Sequence, residues 1–173
     1  MEIIEAAVDV FVEHGFAAAK LSDVATRAGV VKGTLYRYFD TKDDLFRAVV
    51  QHVAAANLQA IEQAAQAFRG SLDELVPVLL MRVADGMGDG RSPALARMVI
   101  GESRAFPDLA RIWHDNVVSR VLALLSGLIA DAQARGEVRP GDPTAYAFSI
   151  IGPMVMGLLF GELFGSASPH NPN

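Results

Sequence analysis

The sequence predicts an all-α protein in two parts, an N-terminal three-helix domain containing a helix-turn-helix (1–46) and a larger helical domain (47–173), joined by a helix over about 42–68. Three observations carry this. Leu21, Val24, Ala25 and Ala28 recur at i, i+3, i+4, i+7, the apolar face of a short helix that Gly29 breaks and a second helix follows near Lys32. Most of the later segments open on capping residues or proline and close on glycine. Residues 143–161 carry no charge at all.

Helix one, residues 2–14, puts Ile3, Ile4, Ala7, Val8, Phe11 and Val12 on one face, with Glu5, Asp9 and Glu13 opposite and Gly15 as its C-terminal cap. After helix two, Gly29 accepts the left-handed backbone of a sharp interhelical turn, and Val30 plugs the space beneath it. In helix three, Leu35 and Phe39 share the buried face, which leaves Lys32, Gly33, Thr34, Tyr36, Arg37 and Tyr38 outward. A solvated helix has no reason to expose two tyrosines. A helix laid in the major groove can use phenol hydroxyls and cations on phosphates and base edges. Two alternatives stay open: Tyr36 packing its ring under helix one, and Tyr38 covering the junction between the two parts.

The run AGVVKGTLYRYFDTKDDL, with AAVDVFVEHGF upstream, resembles the signature of the TetR (tetracycline repressor) family of bacterial regulators, specifically over residues 5–50. The resemblance implies a dimeric repressor on double-stranded operator DNA, with Tyr36, Tyr38 and Lys42 on phosphates and Lys32, Gly33, Thr34 and Arg37 facing base edges. Two positions depart from the family pattern. Val31 stands where Ser is common and Ala19 where Thr is common, and loss of either helix cap would cost about 1 kcal/mol locally.

The net charge of −5 opposes DNA binding only until its distribution is read. Residues 20–47 hold six cations, among them all three lysines, against four acids, a local +2; the other nine cations and sixteen acids leave −7 elsewhere. Two heads acting together would compensate for so weak an excess. With no cysteine there is no disulfide or thiolate site, and the N-terminal residues lack the pattern of a secretory signal, so a cytoplasmic protein is expected. The four histidines show no metal-ligand spacing, and neither GxxxxGK[ST] nor GxSxG occurs; no enzyme, metal or cofactor is expected.

Thr41 followed by Asp43 and Asp44 caps helix four, whose core stripe is Leu45, Phe46, Val49, Val50, Val53, Ile61 and Ala65. At about 1.5 Å per residue it spans roughly 40 Å, a lever between head and body. Ser71 to Glu74 is a capping box for helix five, which has Pro77 past its first turn and ends in the loop 85–90. Ser92 and Pro93 are expected as N-cap and N1 of helix six. Helix seven runs from Pro107 to Arg135, closed by Gly136. Helix eight starts at Pro143 behind Asp142 and reaches about Phe164. Its uncharged run only approaches the ~20 residues of a membrane span, with Pro153 in the middle, so no membrane is expected.

A helix that is apolar all round needs cover on every side. Helices seven and eight are therefore expected to form a four-helix dimer interface through Leu124, Leu128, Pro153, Gly157, Phe160, Gly161 and Phe164. An effector cavity is expected at Met81, Met98, Glu102, Phe106, Trp113, Asn116, Tyr146, Met154 and Met156, with only one of the last two facing any given cavity. The plainer alternative is that the methionines and aromatics are simply core. Glu102, a carboxylate in an apolar stripe, should meet Arg104, Arg111 or Arg120, or else a ligand donor. The function expected is a regulator released from its operator by a small apolar or amphipathic ligand; the alternative is a DNA-bound structural or division-related protein without an effector.

Overall fold

The computed structural model describes residues 2–86 and 90–164, without the side chains of 56, 57, 84, 86, 158, 159 and 161–164. The elements are α1 (Glu2–Ala18), α2 (Leu21–Arg27), α3 (Lys32–Tyr38), α4 (Lys42–Ala67), α5 (Leu72–Gly86), α6 (Arg91–Glu102), α7 (Pro107–Trp113), a π turn (His114–Val118), α8 (Ser119–Ala134) and α9 (Pro143–Phe164). No strand occurs among the described residues.

The turn between α2 and α3 forms as its sequence dictates. Gly29 has φ +67°, its N–H donates to Thr26 O, and the Val30 N–H reaches back to Ala25 O, the two bonds of a Schellman closure. Gly136 ends α8 in the same way, with bonds to Gln133 O and, from Glu137 N–H, to Ala132 O. Thr41 caps α4 by accepting the Asp44 N–H, and Glu74 reaches back to the Ser71 N–H ahead of α5.

Four local expectations are corrected. Gly15 does not simply close α1: its backbone (φ +74°, ψ 172°) breaks the helix, and one further helical turn follows to Ala18. The N-cap of α2 is Lys20, not Ala19, which is buried; neither Lys20 nor Val31 at the start of α3 makes a side-chain cap. α6 starts from Gly90 at φ +73°, so Ser92 and Pro93 lie inside its first turn, where a missing N–H costs nothing. The predicted helix seven is the continuous rod α7, π turn, α8. Asn116 Nδ2 donates to Ile112 O at 2.7 Å and competes for the carbonyl that an α-helix would give the Asn116 N–H. Of the predicted loop 85–90, residues 87–89 fall outside the described residues, and Asp85 belongs to α5.

One core runs through both parts. Ala7, Val8, Phe11, Phe16, Val24, Leu35 and Phe46 from the head join Leu95, Val99, Leu109 and Ile112 from the body. Phe16 is its hub, with ring centroids 5.8 Å from Phe11, 5.6 Å from Phe46 and 5.2 Å from Phe106. Each such pair adds about 0.5–1.5 kcal/mol beyond its burial. A second, smaller cluster of Ala65, Leu75 and Leu79 packs against Leu124, Leu125 and Leu128. By length and composition the 28-residue rod Pro107–Ala134 could cross a membrane; here it packs against α4 and α9.

Gly15 yields a direct test. Its backbone lies in a region that essentially only glycine occupies, and an added Cβ would sit 2.5 Å from Glu102 Oε1. Gly15→Ala is expected to lower the unfolding free energy by about 1–3 kcal/mol in urea denaturation; a change within error would show that the α1 break does not need glycine.

Candidate DNA interface and ligand cavity

In α3, Leu35 is wholly buried and anchors the helix from below. Tyr36 and Tyr38 are 42% and 61% exposed, so neither ring is tucked into the protein. The Lys32 ammonium stands 5.5 Å from the Tyr36 ring centre and the Arg37 guanidinium 5.5 Å from that of Tyr38, so each cation shares its outer face with a phenol. Gly33 is exposed with open space where a Cβ would be, and Thr34 is half-buried. The surface therefore offers two cation–phenol pairs around a gap in which a groove wall can approach closely. Arg27 is turned away from it, paired with Glu13 at 2.8 Å; that contact lowers the Glu13 pKa and raises that of Arg27.

Lys42, expected on a phosphate, makes contacts within the protein. Its Nζ donates to Phe16 O (2.6 Å), Ala17 O (3.2 Å) and Ala19 O (3.2 Å) and lies 4.4 Å from the Phe16 ring centre. That is as many acceptors as an ammonium has N–H bonds.

Between the two core clusters lies a cavity of about 440 Å³. α4 contributes Val50, Val53, Leu58 and Ile61; α5 contributes Val76, Leu79 and Val83; α6 contributes Ser92, Pro93, Ala96, Val99 and Ile100. The rod adds Trp113, Val117, Val121, Leu124 and Leu125, and α9 adds Ile150, Ile151, Met154 and Val155. Among the described residues no charged side chain lines it. Transfer of an apolar group into such a space is favourable by roughly 25 cal/mol per Å² buried, whereas an ion brought in would find no partner.

Of the nine residues expected around a ligand, Trp113 and Met154 line this cavity. Met156 points to the outside, in keeping with the two-residue offset, and Met81 is 67% exposed. Met98 and Phe106 pack on the main core, and Tyr146 lies against Gly141. Asn116 accepts from Gln51 Nε2 at 2.9 Å. Glu102 is corrected on both counts. It meets no ligand space and no arginine: its oxygens accept the N–H groups of Phe16 (3.0 Å) and Ala17 (2.7 Å), freed where Gly15 breaks α1. Arg111 pairs with Asp108 and Arg120 with Glu62. The cavity residues missed by sequence are mostly Val, Ile and Leu, whose chemistry at helical spacing is that of any core.

On the expected dimer face, Leu124 and Leu128 turn inward onto the smaller cluster. Pro153, Gly157 and Phe160 are exposed, and the side-chain positions at Gly161 and Phe164 lie outside the described residues. α9 exposes Phe148, Gly152, Met156 and Phe160 four residues apart, with Phe148 at 55% and Phe160 at 45%, and α8 exposes Ala123, Gly127, Ala130 and Ala134.

A recognition helix displayed on a three-helix head, fused to a helical body, defines a class: single-chain DNA-binding transcriptional regulators. Residues 3–49 match the family model described as bacterial regulatory proteins, tetR family, and residues 68–164 match that of the tetracyclin repressor-like C-terminal domain. The chain therefore belongs to the TetR family. It is 36% identical over 132 residues to an HTH-type transcriptional repressor of Mycobacterium tuberculosis, covering 73% of this chain and 66% of that protein. A TetR-family regulator of Mesorhizobium loti superposes with TM-score 0.81 at 26% identity, over 96% of this chain and 84% of the other. The regulator FadR of Bacillus subtilis, solved in complex with stearoyl-CoA, shares the fold at TM-score 0.80 and 22% identity, over 94% and 87% of the two chains.

A polar seam joins α1 to the body: Glu5 accepts from Arg91 at 2.7 Å and contacts His52 at 2.7 Å, and Arg91 also reaches Asp9 at 3.4 Å. The His52 hydrogen bond first, then Arg91, holds the Glu5 carboxyl below its usual pKa. A depressed carboxylate contributes stability above its unfolded value, about 4.3, and loses it as pH falls through the folded one. Because the site is half-exposed, the contribution should be under about 1 kcal/mol. Glu5→Gln is expected to be less stable than the parent at pH 7, and the gap should close below about pH 4. A gap independent of pH in parallel urea titrations would remove the ionic account.

Proposed function

We propose that this chain is a homodimeric repressor, acting in the cytoplasm, that leaves its operator when a small apolar or amphipathic molecule enters the cavity. The observation that carries the reading is a cavity with no charged lining among the described residues, walled by α4 and α6, which both also contact the head helix α1. A flexible acyl chain suits such a space, with any charged headgroup left outside it, and the stearoyl-CoA bound by the B. subtilis neighbour supports an acyl thioester as the first ligand to try. On the DNA side, Lys32, Gly33, Thr34 and Arg37 face base edges, and Tyr36 and Tyr38 hold phosphates. The exposed apolar strip of α9, flanked by the small residues of α8, is the face on which a second copy packs. Two recognition helices then enter successive major grooves about 34–36 Å apart. A ligand favouring a different separation shifts the population off DNA, and operator must weaken ligand binding by the same factor.

Three measurements address this reading. Mobility shift on DNA upstream of the coding region, with nonspecific competitor, should give a discrete complex that stearoyl-CoA weakens tenfold or more. Ala96→Trp, which fills the cavity from α6, should retain the complex and lose that response; an equal response in both proteins would exclude the cavity as the sensing site. Gly152→Arg on the α9 strip should sediment at monomer mass and bind operator at least tenfold more weakly, and an intact dimer would place the interface elsewhere.

A further inference from the structure

The break at Gly15 leaves a single helical turn, residues 16–19, closed by the Ala19 N–H to Gly15 O bond. Both ends of this turn are gripped by charge. At its N–H end the two oxygens of Glu102, the last residue of α6, take the Phe16 and Ala17 amides. At its carbonyl end the ammonium of Lys42, the first residue of α4, takes Phe16, Ala17 and Ala19. Each charge has the sign that complements the helix dipole there. Lys42 lies four residues beyond Tyr38, the end of the recognition helix, while Glu102 lies two and three residues beyond Ile100 and Val99, which line the cavity.

We infer that Glu102 and Lys42 are positioning residues for DNA binding: they clamp the 16–19 turn between them and so fix the recognition helix relative to the ligand-sensing α6. The geometry is intolerant of displacement. Hydrogen bonds of 2.7–3.0 Å are largely lost once an α6 shift of about 1 Å carries donor and acceptor beyond 3.5 Å. Gly15 favours the seat, since a Cβ there would lie 2.5 Å from Glu102 Oε1 and push the carboxylate away. Lys42 thereby holds the turn from its carbonyl side. The part of this inference that concerns ligand response rests on the cavity reading above; the clamp itself does not.

The clamp is tested first on the protein alone. In Glu102→Gln, amide hydrogen exchange should accelerate at least tenfold at Phe16 and Ala17 and also across α3, while α8 is unchanged. Acceleration at Phe16 and Ala17 without any change in α3 would overturn the inference, because the contact would then be a local cap. Glu102→Asp, which keeps the charge but shortens the reach, is the second variant and should show the same pattern if the glutamine variant does not fold. The second arm uses a DNA site selected from random sequence. Glu102→Gln should bind it at least tenfold more weakly with the slope of log K against log salt unchanged. Binding at the parental strength, or a slope reduced by about 0.9, the loss of one phosphate contact, would overturn the positioning role of Glu102. The third arm compares stearoyl-CoA release in the parent and Glu102→Gln; coupling retained in the variant overturns the clamp as transmitter. A parent protein that ignores stearoyl-CoA counts against the ligand reading and leaves the exchange and salt arms to decide the clamp.

Discussion

Phe16 belongs at once to the head and to the body, and most of the architecture depends on that. Its ring is in contact with Phe11 and Phe46 of the head and with Phe106, the N-cap of α7 just beyond α6, within one continuous core. Two domains joined by a linker would move independently. Here a displacement of α6 is felt at Phe16 because a close-packed core yields by switching between arrangements and not by stretching. The polar contacts reinforce the same joint from outside: Arg91 ties the start of α6 to Glu5 and Asp9 on α1, and Glu102 ties its end to the turn after Gly15.

The cavity is the counterpart of that rigid joint. Between two well-packed clusters the chain leaves a space of about 440 Å³ whose walls forfeit dispersion contacts that a filled core would have. An apolar guest restores those contacts without asking for a polar partner, and it stabilises whichever arrangement of α4, α5, α6 and the rod encloses it. The π turn falls within this wall, with Val117 and Val118 lining the space. A wider turn of helix here re-aims two side chains that a regular α-helix would present in a different register.

How much of this could be read from the sequence varies with the physics involved. The helix-turn-helix was legible because Gly29, Val30 and Leu35 are local signals: a positive φ, a plug and an anchor, each confined to a few residues. The helix limits were legible for α4 and α9, where Thr41 and Pro143 announce them. The cavity was largely illegible. Polarity inside an apolar stripe suggested a ligand at Glu102 and Asn116, yet both side chains serve the protein's own backbone, one at Phe16 and Ala17 and one at Ile112. The partners of Glu102 lie 86 and 85 residues away, beyond any window in which periodicity operates. The cavity wall is mostly aliphatic, and no chemical mark separates a valine facing an empty space from one facing a neighbour.

The same long-range geometry ties the start of α4 to the end of α6 through one turn of α1. α4 begins beside the recognition helix and continues into the cavity wall, but its first residue is fastened by Lys42 to the turn that Glu102 holds from the other side. A change in α4 that left α6 in place would have to break those contacts or carry α1 along. α6 is the shorter helix, but it touches cavity, core and clamp within the span of Ala96 to Glu102. A guest that displaces α6 therefore acts on head position through the fewest intermediates, with α4 following because it is bound to the same turn.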